Sequence, residues 1–125
     1  METEFPWSPQ TASERALAAF KRIESETEAF RSVFVRLFKE EALQTAASLP
    51  PTTTSPLAGA LVTIKDLYDV KGYVTTAGTK VLATQPVAQA DSDAVAAVRA
   101  AGAVMLGHSN MTEFAYSGLG LNPHL

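Results

Sequence analysis

Apolar and polar positions alternate between helical and extended periods along the chain. From Ala12 to Ser25, Ala16, Leu17, Ala19, Phe20 and Ile23 make an apolar stripe at helical spacing, with Arg15, Lys21, Arg22 and Glu24 on the watery side. Thr11-Ala12-Ser13-Glu14 ahead of it fits a capping box, in which the Thr11 hydroxyl accepts from the first turn and Glu14 reaches back. Between Ala29 and Phe38 the pattern favours a strand, since Val33, Val35 and Leu37 alternate with Ser32, Phe34 and Arg36, although a helix also fits. Lys39 to Ser48 returns to helical spacing and ends before Pro50 and Pro51.

A Pro/Thr/Ser connector at 50–56 leads into Leu57-Ala58-Gly59-Ala60-Leu61-Val62-Thr63-Ile64-Lys65-Asp66. The short apolar run Ala60 to Ile64 predicts a strand buried on both faces. A loop-rich span follows from Asp66 to Gln89, holding the hydroxyl cluster Thr75-Thr76-Ala77-Gly78-Thr79, which ordinary turn chemistry explains. Asp91-Ser92-Asp93 opens a helix with Asp91 as cap, Val95, Val98 and Ala101 as apolar face, and Gly102 as the closing residue. Ala103 to Leu106 predicts a second buried strand, ended by Gly107. Strand, helix, strand is the βαβ order, so the two strands should be parallel and the fold class α/β.

Ligands in such sheets gather at the carboxyl ends of strands. Lys65 and His108-Ser109-Asn110 both stand at such ends. A lysine held against apolar surface loses solvation of its charged form and becomes available as a base, which makes Lys65 the candidate catalytic residue. The alternative reading is a stem that covers apolar surface while the ammonium stays in water. His108 and His124 read as a surface histidine and a tail histidine, because neither has metal-ligand spacing to a partner.

The length of 125 residues fits one domain, and 46% hydrophobic with 18% charged residues is globular composition. A net charge of −3 without a basic stripe gives no reason to expect nucleic acid as a partner. Cysteine is absent, which excludes disulfides, thiol nucleophiles and cysteine-bound metal and fits a reducing cytoplasm. No apolar run approaches the roughly 20 residues needed to span a membrane. The start Met1-Glu2-Thr3-Glu4 lacks the basic residues of a secretory signal. There is no P-loop, dinucleotide fingerprint or H-E-x-x-H, and no cofactor is expected.

Four blocks in order resemble the amidase signature family: 56–66, the threonine-rich 75–79, Arg99-Ala100-Ala101-Gly102-Ala103-Val104-Met105-Leu106-Gly107-His108-Ser109-Asn110-Met111-Thr112-Glu113-Phe114, and Gly118-Leu119-Gly120-Leu121-Asn122-Pro123-His124. The resemblance implies an α/β/α fold with a mixed sheet flanked by helices. It also implies hydrolysis of carboxamides to acid plus ammonia or amine by a Ser–cis-Ser–Lys triad, with a small-molecule amide as substrate. Lys65 occupies the position of the family's base, Tyr116 and Ser117 are implied to touch substrate, and Phe114 is expected in the core. The chain departs from the pattern at His108, where relatives commonly carry lysine, and at Ser109, where they carry threonine.

Both family serines belong to a glycine-serine-rich block that no serine of this sequence matches, Ser92, Ser109 and Ser117 included. Residues 1–125 are therefore expected to be one incomplete, N-terminal amidase domain. Its expected parts are an arm over 1–10, a helical and strand region over 11–49, and the start of the amidase core over 57–125. Alone it should be inactive. Two other readings are a glutamine-hydrolysing component of a tRNA-dependent amidotransferase, and a non-catalytic interaction module. Self-association through exposed core is expected of the fragment.

Overall fold

The computed structural model describes residues 6–124. The acidic start and the first half of the expected arm lie outside the described residues, while residues 6–10 have no regular structure. Helix α1 spans Ala12–Ser25, α2 is the short Thr27–Phe30, and strand β1 is Phe34–Leu37. Helix α3 (Lys39–Ser48), strand β2 (Leu61–Lys65), helix α4 (Asp93–Ala100) and strand β3 (Val104–Ser109) follow. The strands form a mixed sheet in the order β1-β3-β2, with β1 antiparallel and β2 parallel to β3. The βαβ order read from the sequence is present as β2-α4-β3.

The two-residue period of β3 divides the core. Val104 and Leu106 point to one face, where Ala12, Ala16, Phe20 and Ile23 of α1 and Ala42 and Ala46 of α3 pack on them. Met105 points to the other, joining Ile64, Val70, Val95 and Phe38. The alanines on α1 and α3 leave room for the bulk of Phe20, which has no exposed surface. Leu17, expected in the stripe, is 44% exposed, because the buried face of α1 runs along 12, 16, 20 and 23.

The strand buried on both faces is β3, not β2: residues 104–108 are all buried, whereas β2 is an edge of the described sheet with Thr63 and Lys65 exposed. Nor does β3 stop at Gly107. It continues to Ser109 because the missing side chain at 107 admits β1; a Cβ there would overlap the Arg36 carbonyl. The register shifts between Val62 and Ile64 on one side and between Phe34 and Arg36 on the other, so irregular pairing flanks Gly107 and sets the aim of His108.

Two caps differ from the sequence expectation. Thr11 has φ −101° and ψ 1° and makes no capping bond; its hydroxyl accepts from Arg15 Nε at 2.9 Å instead. Ser92 rather than Asp91 caps α4, accepting from the Val95 amide at 3.5 Å. The Asp91 carboxylate is held by Arg99 at 2.7 Å and by the Lys71 amide at 2.9 Å. These bonds, that from Arg99 first, hold its carboxyl below the usual range. Arg99 also pairs with Glu41, tying α4 to α3.

Candidate functional site

Strand β2 delivers Lys65 to its C-terminal end, where it is in register with Ser109 of β3. Directly after it the chain turns: the Lys65 carbonyl accepts from the amides of Leu67 at 2.6 Å and Tyr68 at 3.1 Å. The exposed Lys65 lines the rim of an apolar cleft of ≈ 300 Å³ between β2 and α4, with Ile64, Tyr68, Val95 and Val98. The ammonium makes no hydrogen bond or ion pair among the described residues. The apolar enclosure expected around it is therefore not supplied by these residues, for the same reason that β2 is an edge.

The neighbour that the sequence reading left unassigned is the better enclosed. Asp66 is fully buried. Its Oδ1 accepts from Arg36 Nη1 at 2.7 Å and from the Thr76 amide at 3.0 Å, and its Oδ2 accepts from the Thr76 hydroxyl and from the Gly78 amide at 3.4 Å. Burial by itself would raise the carboxyl's pKa, but the bonds from Arg36 and Thr76 outweigh it and hold the group below the usual carboxylate range.

His108 completes this cluster. It is fully buried, not the surface histidine expected, because it faces Arg36 across the β1–β3 pairing. Arg36 Nη1 donates to His108 Nδ1 at 2.5 Å, so the ring proton resides on Nε2, which donates to the Tyr68 carbonyl at 3.0 Å. Burial, with Arg36 alongside, pushes the imidazole's pKa down, against the pull of the Tyr68 carbonyl and of Asp66 and Asp69. The ring is neutral. Phe38 stacks its ring edgewise against it at 5.0 Å.

The threonine cluster is built into this site. Thr75 donates to Asp69 at 2.6 Å, Thr76 to Asp66, and Thr79 to Glu113 at 2.6 Å, so three hydroxyls each secure a carboxylate. Gly78 has φ 69°, and a Cβ on it would stand 2.7 Å from the Met111 carbonyl and 2.9 Å from Asn122 Nδ2. That close approach lets Asn122 donate to the carbonyls of Gly78 at 2.7 Å and Met111 at 2.8 Å, binding the 75–79 loop to the segment after β3.

Tyr116 and Ser117 lie in that segment. Tyr116 is 91% exposed, and the Ser117 hydroxyl, on an exposed residue, accepts from the Leu119 amide at 3.2 Å. Neither is hydrogen-bonded to Lys65. Phe114, expected in the core, is 54% exposed and has φ 52°, followed by Ala115 at φ 59°. Two consecutive left-handed residues that are not glycine are strained and turn the phenyl ring outward. Among the described residues no group of three or more His, Cys, Asp or Glu side chains could hold a metal ion, and no helix is long and apolar enough to cross a membrane.

Asp66, Arg36, Thr76 and His108 escaped the sequence reading as a group. Arg36 is 30 residues from Asp66 and 72 from His108, so no local period relates them. The available signals were the Asp66 charge ending an apolar run and the placement of His108 just past the apolar run Ala103 to Leu106 and Gly107.

The family model for Amidase matches residues 14–125. The AtzE component of 1-carboxybiuret hydrolase from Pseudomonas sp. (strain ADP) is 48% identical over 69 residues, which are 55% of this chain and 15% of that protein. The A component of the glutamyl-tRNA(Gln) amidotransferase of Koribacter versatilis is 37% identical over 110 residues, 84% of this chain and 22% of that protein. The chain thus spans about a fifth or less of the length of these curated relatives. A chain from an inhibitor-bound vestigial complex, described as revealing the origins of an s-triazine catabolic enzyme, superposes with a TM-score of 0.80 at 35% identity, over 94% of this chain and 26% of that one. A crystal structure of an amidase gives a TM-score of 0.70 at 33% identity, over 93% and 26%.

Proposed function

Since the chain belongs to the amidase family, we propose that it forms the N-terminal part of an amide hydrolase in which Lys65 is the base. The observation that carries this reading is the placement of Lys65 at the carboxyl end of β2, in register with Ser109 and at the rim of a cleft. Residues 1–125 form one part of the catalytic domain on this reading, and the two serines come from outside them.

A hydroxyl is a weak nucleophile until a neighbouring base takes its proton, and serine–lysine pairs are one solution to that problem. The proton of the nucleophilic hydroxyl passes through the bridging hydroxyl to Lys65 Nζ as the serine oxygen bonds to the amide carbon. The carbon–nitrogen bond then breaks, the proton leaves with ammonia or the amine, and water releases the acid from the acyl-enzyme. On this reading Tyr116 and Ser117 contact substrate; their exposure on the segment beyond β3 leaves them open to such a contact.

The test is ammonia release from primary carboxamides by the longest reading frame containing residues 1–125. Undiminished activity in Lys65→Ala would reject the assignment. A second reading, glutamine hydrolysis within a tRNA-dependent amidotransferase, is favoured by the similarity to the amidotransferase A component over 84% of the chain. Glutaminase activity that appears only with partner proteins would establish it in place of the first.

A further inference from the structure

We propose that Asp66 is a positioning residue for Lys65: its buried carboxylate, clamped by Arg36 and Thr76, fixes the turn that presents the lysine at the end of β2. The inference rests on the reading of Lys65 as the base.

The clamp engages every polar group of Asp66. The Asp66 amide donates to the Ser109 carbonyl at 3.1 Å, and its carbonyl accepts from the Ala77 amide at 2.8 Å. Its two carboxylate oxygens receive four donors, from Arg36, Thr76 (twice) and Gly78. Farther along, Tyr68 is held by the His108 ring at its carbonyl and by the Lys65 carbonyl at its amide. The Lys65 backbone is held by β3 and by this turn, whereas its ammonium has no bond among the described residues, so the turn at Asp66 sets where the side chain starts.

Arg36 is what makes the clamp more than a turn. It donates to Asp66, to His108 and, through Nη2 at 3.1 Å, to the Thr76 hydroxyl, so one guanidinium joins β1, the β2 turn, the 75–79 loop and β3. Thr76 in turn accepts from Arg36 and donates to Asp66, a role open to a hydroxyl and closed to an isosteric methyl. A base displaced by about 1 Å can cost on the order of 10²-fold in rate while substrate affinity is retained.

The experiment uses the full reading frame and measures kcat and KM for ammonia release from acetamide, benzamide and glutamine. Thr76→Val and Asp66→Asn should each lower kcat at least about tenfold with KM changed less than about twofold, and Thr76→Ser should recover most of the loss. Folded Thr76→Val and Asp66→Asn proteins with undiminished kcat would overturn the inference. So would a loss expressed mainly in KM, or one that Thr76→Ser leaves unrecovered. Activity that persists in Lys65→Ala overturns instead the reading of Lys65 as base, which separates the two failures.

Discussion

The guanidinium of Arg36 and the carboxylate of Asp66 form an ion pair of 2.7 Å in which the carboxylate has no exposed surface. Removing one partner of such a pair strands the other, and that costs more than the pair contributes. Asp66→Ala should destabilise the protein by about 3 kcal/mol, measured by denaturant unfolding. Surface pairs offer the contrast: breaking Arg22–Glu26, both largely exposed, should change little.

The same cluster predicts a pH dependence. His108 is held neutral, so below about pH 6.5 the unfolded chain takes up a proton that the folded one refuses. Stability is full above that value and falls as the pH drops toward the depressed folded midpoint. Asp66 adds a second, more acidic loss: its folded pKa lies below the unfolded one, so its contribution is present above about pH 4 and disappears as acid protonates it. Unfolding midpoints between roughly pH 5 and 7 should show the first slope, and His108→Gln, which retains a donor for the Tyr68 carbonyl, should flatten it.

Lys65→Ala in the whole protein should reduce kcat for amide hydrolysis by about 10²–10⁴-fold, the range for loss of a general base. Lys65→Arg should not restore it, because guanidinium stays charged. Steady-state ammonia release from the two variants checks this.

Gly107→Ala should separate β1 from β3, since the added Cβ meets backbone, which cannot rotate away. A cost of about 1–3 kcal/mol is expected, with amide exchange at 34–37 accelerated more than in α1.

Residues 1–125 expressed alone should release no ammonia and should associate. Tyr116, Leu119 and Leu121 are 91%, 81% and 73% exposed, and β2 presents an unpaired edge within the described sheet. Sedimentation should show concentration-dependent oligomers, reduced by Leu119→Glu with Leu121→Glu. A monodisperse, cooperatively unfolding monomer would favour the interaction-module reading.

Periodicity located α1 and α3, which have the bounds that their spacing and the prolines after Ser48 imply, but not the four-residue α2, whose end lies in the 29–38 stretch read as favouring a strand. The β2-α4-β3 unit was legible from its apolar runs and from Gly102, which takes φ 86°. Side-chain roles at the ends were not. Thr11 and Asp91 are good caps in isolation, but each found an arginine, Arg15 and Arg99, that offered a charge-assisted bond. Burial of β2 was overread because its apolar run resembles that of β3; which of two such strands is central depends on where β1 pairs, and that is a long-range choice. For the site, Lys65 was located at its strand end, whereas the cluster behind it unites residues far apart in sequence and leaves no periodic trace.

β1 pairs with β3 and leaves β2 untouched, although β2 is made before β3. On the ribosome, at about 5–20 residues per second, Arg36 must therefore wait roughly 4–14 s before the histidine 72 positions later emerges. During that interval a nascent β1 has a cation and an open backbone edge but no mate. Helices α1 and α3 touch each other, but their shared apolar face also closes on Val104 and Leu106, so it too stays open until β3 is made.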